Sequence, residues 1–258
     1  QRFSDGGVRD MVRRALLPWQ NAFKFLSTYA AIDGWKPAAT PVPSANIMDQ
    51  WILSRLQTLK QNIAAEMEQY QLYNVVPALF EFIEDLTNWY IRLNRARFWT
   101  QEATADKEAA YSTLFNTLYE MNLCMAPFAP FLSETIFQEL KQFSRDPLPV
   151  SVHLCRYPLP ETALINPVLE TAVTRMQHII VLGRQKRNLA KIKTKYPLPS
   201  LTVVHKDSTL LTEIARLGNY IETELNVKSI AYSTREADYI NLYARPNSPV
   251  LGKRLGKA

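Results

Sequence analysis

The sequence predicts a mainly α chain: an antiparallel helical bundle, then a small α+β unit. Five long segments carry apolar residues at helical spacing, joined by short connections with almost no strand pattern. Only seven of the 258 residues are glycine, which disfavours a glycine-rich cofactor loop and suits long helices. Near residue 200 the pattern changes to short runs of β-formers.

Ser4 or Asp5 caps a first helix over residues 8–32, whose stripe is Val12, Leu16, Trp19, Phe23 and Leu26. Pro18 inside it predicts a kink or a split. Residues 34–44 hold three prolines and read as a connector. Asn46 then caps a second helix over residues 47–70, with Met48, Trp51, Ile52, Leu56, Leu59, Ile63 and Met67 in register. A third helix, 75–99, turns Val75, Val76, Leu79, Ile83, Leu86, Tyr90 and Leu93 toward a core. A fourth, 107–124, lines up Tyr111, Leu114, Leu118, Met121 and Met125. The double-proline run MAPFAPF separates it from a fifth helix over 132–143.

Between residues 146 and 167 proline recurs five times, so this stretch is extended and either wraps or links. The expected domains are therefore a bundle over 1–145, a proline-rich connector over 146–166, and an α+β junction unit over 167–258. In the last, a sixth helix covers 169–193 and a seventh 210–225. Strands are expected at 201–205, 227–233 and 239–244. The chain opens directly into a helix and closes on VLGKRLGKA, so both ends read as cuts in a longer polypeptide.

The net charge of +6 is unevenly placed. Residues 1–166 carry 15 Lys and Arg against 17 Asp and Glu, whereas 167–258 carry 15 against 7. The two regions therefore differ in expected partner. Cys124 and Cys155 are too few for a four-cysteine zinc site and fit a reduced interior, and the three histidines have no ligand-type neighbour at helical spacing. No metal site is expected. The longest uncharged apolar stretch, 123–132, is far short of a membrane span, so the chain reads as soluble and intracellular, with no membrane partner. No nucleophile motif, phosphate loop or dinucleotide fingerprint occurs, and no catalytic residue is assigned.

Two basic features point to a polyanion. In the third helix Asn88, Arg92, Arg95 and Trp99 fall on one side, opposite the apolar stripe. An amide, two guanidiniums and an indole suit stacking on bases and pairing with phosphates. The same row also fits cations gathered at a helix C-terminus, since Glu81, Glu84 and Asp85 precede it in the order the helix dipole favours. The second feature is the run between Glu170 and Asp207, which has eight cations and no acid. If the sixth helix persists, Arg184, Arg187, Lys191 and Lys195 form a ladder, with Lys193 beside it. Like charges at that spacing repel until a polyanion binds and counterions leave.

Seven blocks of the chain resemble isoleucyl-tRNA synthetases, a class I aminoacyl-tRNA synthetase family, in their anticodon-binding region. They are RDMVRRALLPWQNAFKFL, IMDQWILSRL, NWYIRLNRARFW, APFAPFLSETIFQEL, SVHLCRYP, LGRQKRNLAKIKTKYPL and VLGKRLGK. They follow the family's order over nearly the whole chain. Valyl and leucyl enzymes share the early blocks in weaker form, whereas KIKTKYPL and the strand-rich tail single out the isoleucyl family.

The resemblance implies a helical bundle that grips the anticodon stem and loop of an isoleucine-accepting tRNA, followed by a junction region. It implies a cytoplasmic setting and a catalytic domain, with its ATP and Mg, elsewhere in the parent chain. No cofactor is expected in this stretch, since the HIGH and KMSKS motifs are not in it. The tRNA-binding residues expected are Asn88, Arg92, Arg95, Trp99, Arg184, Arg187, Lys191, Lys193 and Lys195. Leu93 and Asn94 stand where an Arg-rich run is common in the family. The alternatives are the same region of a valyl or leucyl enzyme, or a helical protein-interaction scaffold whose binding would survive a rise in salt.

Overall fold

The computed structural model describes residues 4–38, 42–144 and 147–239. It divides into two compact units, Gln1–Glu170 and Thr171–Ala258. The first is a helical bundle and the second a small α+β unit.

In the first unit Ser4 caps α1 (Asp5–Met11), its hydroxyl accepting from the Gly7 N–H at 3.2 Å. The backbone then runs without interruption through a π segment, Val12–Leu16, into α2 (Leu17–Asp33). Proline supplies no N–H and its ring crowds the carbonyl four residues back. The chain meets this at Pro18 by widening the preceding turn, so that the Leu17 N–H reaches Val12 O. The expected kink is thus a π turn and the helix continues. Asn46 caps α3 (Ile47–Glu68) through the Met48 N–H at 2.8 Å. The third expected helix is α4 (Leu72–Glu84), a second π segment (Asp85–Ile91) and α5 (Arg92–Trp99), read as one continuous rod. Thr104 caps α6 (Ala105–Met125), and α7 (Pro130–Leu140) starts on a proline whose missing N–H is needed by no carbonyl there.

The stripes meet in one core. Trp19, Phe23 and Leu26 of α2, Met48, Trp51 and Leu56 of α3, and Leu79, Ile83, Leu86 and Tyr90 are all buried, as are Leu114, Leu118 and Met121. Phe98 stands edge-on to both Phe25 and Tyr111, with ring centroids 5.1 Å apart in each pair. Met67 departs from expectation: at the end of α3 it is exposed.

A buried ionic cluster ties three helices together. Asp49 has no exposed surface, although it lies among the apolar positions of α3. Arg97 of α5 grips it with two parallel bonds of 2.7 and 2.9 Å and reaches Asp106 of α6 with the same guanidinium. The Tyr90 hydroxyl donates to Asp49 at 2.7 Å, and the Ser44 hydroxyl supplies another bond. Burial first, and then the neighbouring Asp49 carboxylate, push the Tyr90 phenol well above its ordinary range. A second cluster centres on Arg55, which pairs with Asp85, Glu81 and Glu170.

Residues 147–166 lie along the helices. Glu134 of α7 accepts from the Ser151 hydroxyl and the Val152 N–H, both at 2.9 Å, and Val152 packs on Leu123, Ala126 and Phe137. Further along, Gln57 accepts the Glu161 N–H and Ser54 the Asn166 N–H.

The second unit holds most of α8 (Pro167–Leu189), then β1 (Leu201–Val204), α9 (Ser208–Ala215), α10 (Gly218–Leu225) and β2 (Ile230–Ser233). β1 and β2 pair in parallel, Leu201 opposite Ile230 through Val204 opposite Ser233, with the two short helices as the crossover. The single helix expected over 210–225 is broken at Leu217, which is buried. Gly183 lets α8 and α10 touch, because a Cβ there would sit 2.5 Å from a Leu225 methyl. Of the third expected strand, 239–244, all but Tyr239 lies outside the described residues, as does the VLGKRLGK block.

Helices α2, α3, α8 and α10 stop in the same way. One or two residues beyond each end stands a left-handed residue, Gly34, Tyr70, Lys191 and Asn226, with φ of 64°, 57°, 57° and 48°. The next N–H then bonds the carbonyl five residues back, as Ile192 does to Arg187 at 2.9 Å.

Two outcomes follow for stability. Asp49→Ala removes the bidentate partner of Arg97 and the acceptor of the Tyr90 hydroxyl and should cost about 3–5 kcal/mol in urea unfolding, whereas Asp106→Ala, at an exposed carboxylate, should cost about 1 kcal/mol or less. Asp33 has burial raising its carboxyl, but bonds from Lys107 and Tyr111 outweigh it and hold the group below its ordinary value. A depressed folded pKa gives stability that is present above the unfolded value and lost as pH falls through the folded one. Stability should therefore decline below about pH 4, and less steeply in Asp33→Asn.

Candidate nucleic-acid interface

The two basic features are built differently. In the first unit, the two turns of α5 and the π segment before it place Asn88, Arg92, Arg95 and Trp99 all on the exposed side of the rod. Trp99 keeps 56% of its surface exposed at the helix end. Beside them lies a cavity of about 310 Å³ lined by Asn21, Phe25, Thr87, Asn88, Ile91 and Arg95, with Pro18 and Ala22. The second π segment borders it through Thr87, Asn88 and Ile91, and α2 supplies the facing wall from Pro18 to Phe25. Widened turns of this kind recur at functional sites. The chemistry is mixed, with apolar Ile91, Ala22 and Phe25, two side-chain amides that both donate and accept, and a guanidinium. Such a set can flank a planar base and hydrogen-bond its edge. Asn21 is a member that spacing along the third helix could not reveal.

Arg97, two residues beyond Arg95, turns inward to Asp49 and belongs to the core. Of the same motif Arg95, Ala96 and Trp99 are exposed, whereas Asn94 and Phe98 are buried. The motif NRARFW thus mixes one structural arginine with one surface arginine.

In the second unit the expected ladder does not form. The left-handed Lys191 stops α8 at Leu189, so Lys191, Lys193 and Lys195 stand on the loop beyond it. Arg184 is ion-paired with Glu224. Arg187 is only 5% exposed, and its guanidinium donates to the carbonyls of Leu225, Asn226, Tyr196 and Lys193. It is bound to backbone and turned away from any polyanion. What the unit presents is therefore a cationic loop, with Lys191, Lys193 and Lys195 exposed and Lys195 resting 5.4 Å over the Tyr196 ring.

Thiol chemistry is not favoured. Burial pushes the Cys124 thiol up to about 12, against a smaller opposing bond from Tyr157, and Cys155 is raised by burial as well. Among the described residues no three His, Cys, Asp or Glu side chains gather as a metal-ion site, and no helix is long and apolar enough to cross a membrane.

Comparison with known proteins decides the family. The family described as the anticodon-binding domain of tRNA ligase matches residues 49–204. The chain belongs to that anticodon-binding family. The match covers α3 to α7 and runs on through α8 and the cationic loop to β1. Among relatives, the isoleucine–tRNA ligase of Bdellovibrio bacteriovorus is 43% identical over 255 residues. The cytoplasmic isoleucine–tRNA ligase of Saccharomyces cerevisiae is 41% identical over 271, and that of Mus musculus 40% over 267. These alignments take in 99%, 99% and 98% of this chain but 24%, 25% and 21% of the relatives. The chain thus spans about a quarter of the length of the relatives it matches.

Within this anticodon-binding domain Trp99 is a surface residue. Trp99→Ala should leave the thermal midpoint within what about 0.5 kcal/mol would move, as read by circular dichroism.

Proposed function

We propose that this chain holds the anticodon stem and loop of an isoleucine-accepting tRNA, so that a catalytic domain of the same parent ligase can aminoacylate it in the cytoplasm with ATP. The observation that carries the reading is the exposed Asn88, Arg92, Arg95 and Trp99 face beside the cleft at Asn21 and Asn88, inside a chain of the anticodon-binding family. The names of the relatives supply the amino acid and the compartment. No cofactor is assigned to this domain; the ATP and Mg chemistry belongs to the catalytic part of the parent.

The division of labour follows from side-chain shape. A row of flexible lysines carries charge but little geometry to read a base, so Lys191, Lys193 and Lys195 act through phosphates. Amides, a planar guanidinium and an indole can make directed contacts to unpaired loop bases.

Filter binding to a tRNA pool, with retained species identified, tests this. Isoleucine-accepting tRNA should be enriched, and the chain alone should give no isoleucine-dependent ATP–pyrophosphate exchange. Trp99→Ala should cost about 1–3 kcal/mol of affinity for that tRNA and less for others. Equal retention of valine or leucine tRNA, or binding that withstands a rise in salt, would overturn the reading.

A further inference from the structure

Arg187 sits in a place that the phosphate reading leaves unused, and its guanidinium makes five hydrogen bonds. Its bonds are unusual in kind. All go to backbone carbonyls, from two stretches far apart in sequence: Leu225 and Asn226 at the end of α10, and Lys193 and Tyr196 in the loop. Guanidinium is suited to this, with five donors fixed in a plane, and no other side chain could span four carbonyls.

The loop is held at other points too. The Asn226 amide donates to Thr194 O at 2.9 Å, and the Leu198 N–H to Asn226 O at 3.0 Å. Ile192 and Tyr196 donate their N–H groups to Arg187 O and Lys193 O. The carbonyls of Lys193, Thr194 and Tyr196 are thus drawn inward to Arg187 and Asn226, while the side chains of Lys191, Lys193 and Lys195 are all exposed. Three like charges within five residues repel one another in a free loop, and lysine loses much rotamer entropy when fixed. Holding the backbone beforehand removes part of what binding would otherwise have to order.

We propose that Arg187 is a positioning residue for RNA: it contacts no phosphate, and it preforms the loop so that Lys191, Lys193 and Lys195 meet a phosphate backbone together. The inference rests on the tRNA-binding reading given above.

The test uses the full chain and an unfractionated tRNA pool. Replacing Lys191, Lys193 and Lys195 by alanine together should weaken binding about tenfold or more and lower the salt slope by about two to three units. Arg187→Ala should weaken binding about tenfold, as the loop's ordering falls on the binding step. In the triple-lysine background the same change should cost less than about twofold, because its effect runs through those lysines. Arg187→Lys, which keeps the charge but not the fork, should fall between.

Several results would overturn the proposal. If the two losses multiply, Arg187 acts independently of the loop. Should the triple-lysine variant bind as tightly as the unaltered chain, the loop is not the contact, and the tRNA reading would still stand on the Asn88 face. An unaltered chain that binds no tRNA would remove both. Should Arg187→Ala fail to fold, hydrogen exchange on the unaltered chain decides. The amides of Ile192, Tyr196 and Leu198 should be protected before RNA is added, and free exchange there until RNA binds would refute a preformed loop.

Discussion

The bundle depends on one buried pairing, the guanidinium of Arg97 against the carboxylate of Asp49. Alone, either group would be expensive to bury. Together, with Tyr90, Ser44 and Asp106, nearly all of their hydrogen-bonding capacity is met. The consequence is registry. Hydrophobic stripes on three helices tolerate small slips, whereas a bidentate bond between α5 and α3 does not. Because α5 is the end of the rod that also carries Asn88, Arg92, Arg95 and Trp99, the pairing fixes which way those side chains face. The core ion pair and the surface row are two sides of one helix.

Helical periodicity made much of the first unit legible. The caps at Ser4 and Asn46 stand where Ser and Asn are followed by apolar stripes, whereas Thr104 starts α6 two residues before the expected 107. The outward face of Asn88, Arg92, Arg95 and Trp99 follows from spacing alone. Arg97 was not legible from its own segment, since nothing local separates it from Arg95. The signal lay elsewhere: Asp49 between Met48 and Trp51 is a carboxylate among positions that must be buried, and such a group requires a partner. The stop at Lys191 had no signal at all. Lysine is a good helix former, and left-handed ends are anticipated from glycine or asparagine. Asn21 belongs to another helix, so only tertiary packing could add it to the cleft.

The two candidate surfaces complement each other in what they can sense. The cleft between α2 and the second π segment has shape, amide groups of both polarities and apolar walls. The loop of the second unit has charge and a fixed backbone. Charge brings a polyanion in quickly and from a distance, while shape discriminates once it is near. Under the function proposed above, a chain holding both would associate with any tRNA and retain few.

The left-handed helix ends carry a consequence for engineering. With so little glycine, this protein ends α3 on Tyr70 and α8 on Lys191, where a side chain strains a conformation that glycine adopts freely. Tyr70 stands on an exposed corner, so heat-hardening by glycine is open there. At Lys191 the stop signal and the cation proposed to meet phosphate are the same residue. On that proposal robustness and affinity are coupled at that one position, and a screen for thermostable variants would select against RNA binding there without ever having tested for it.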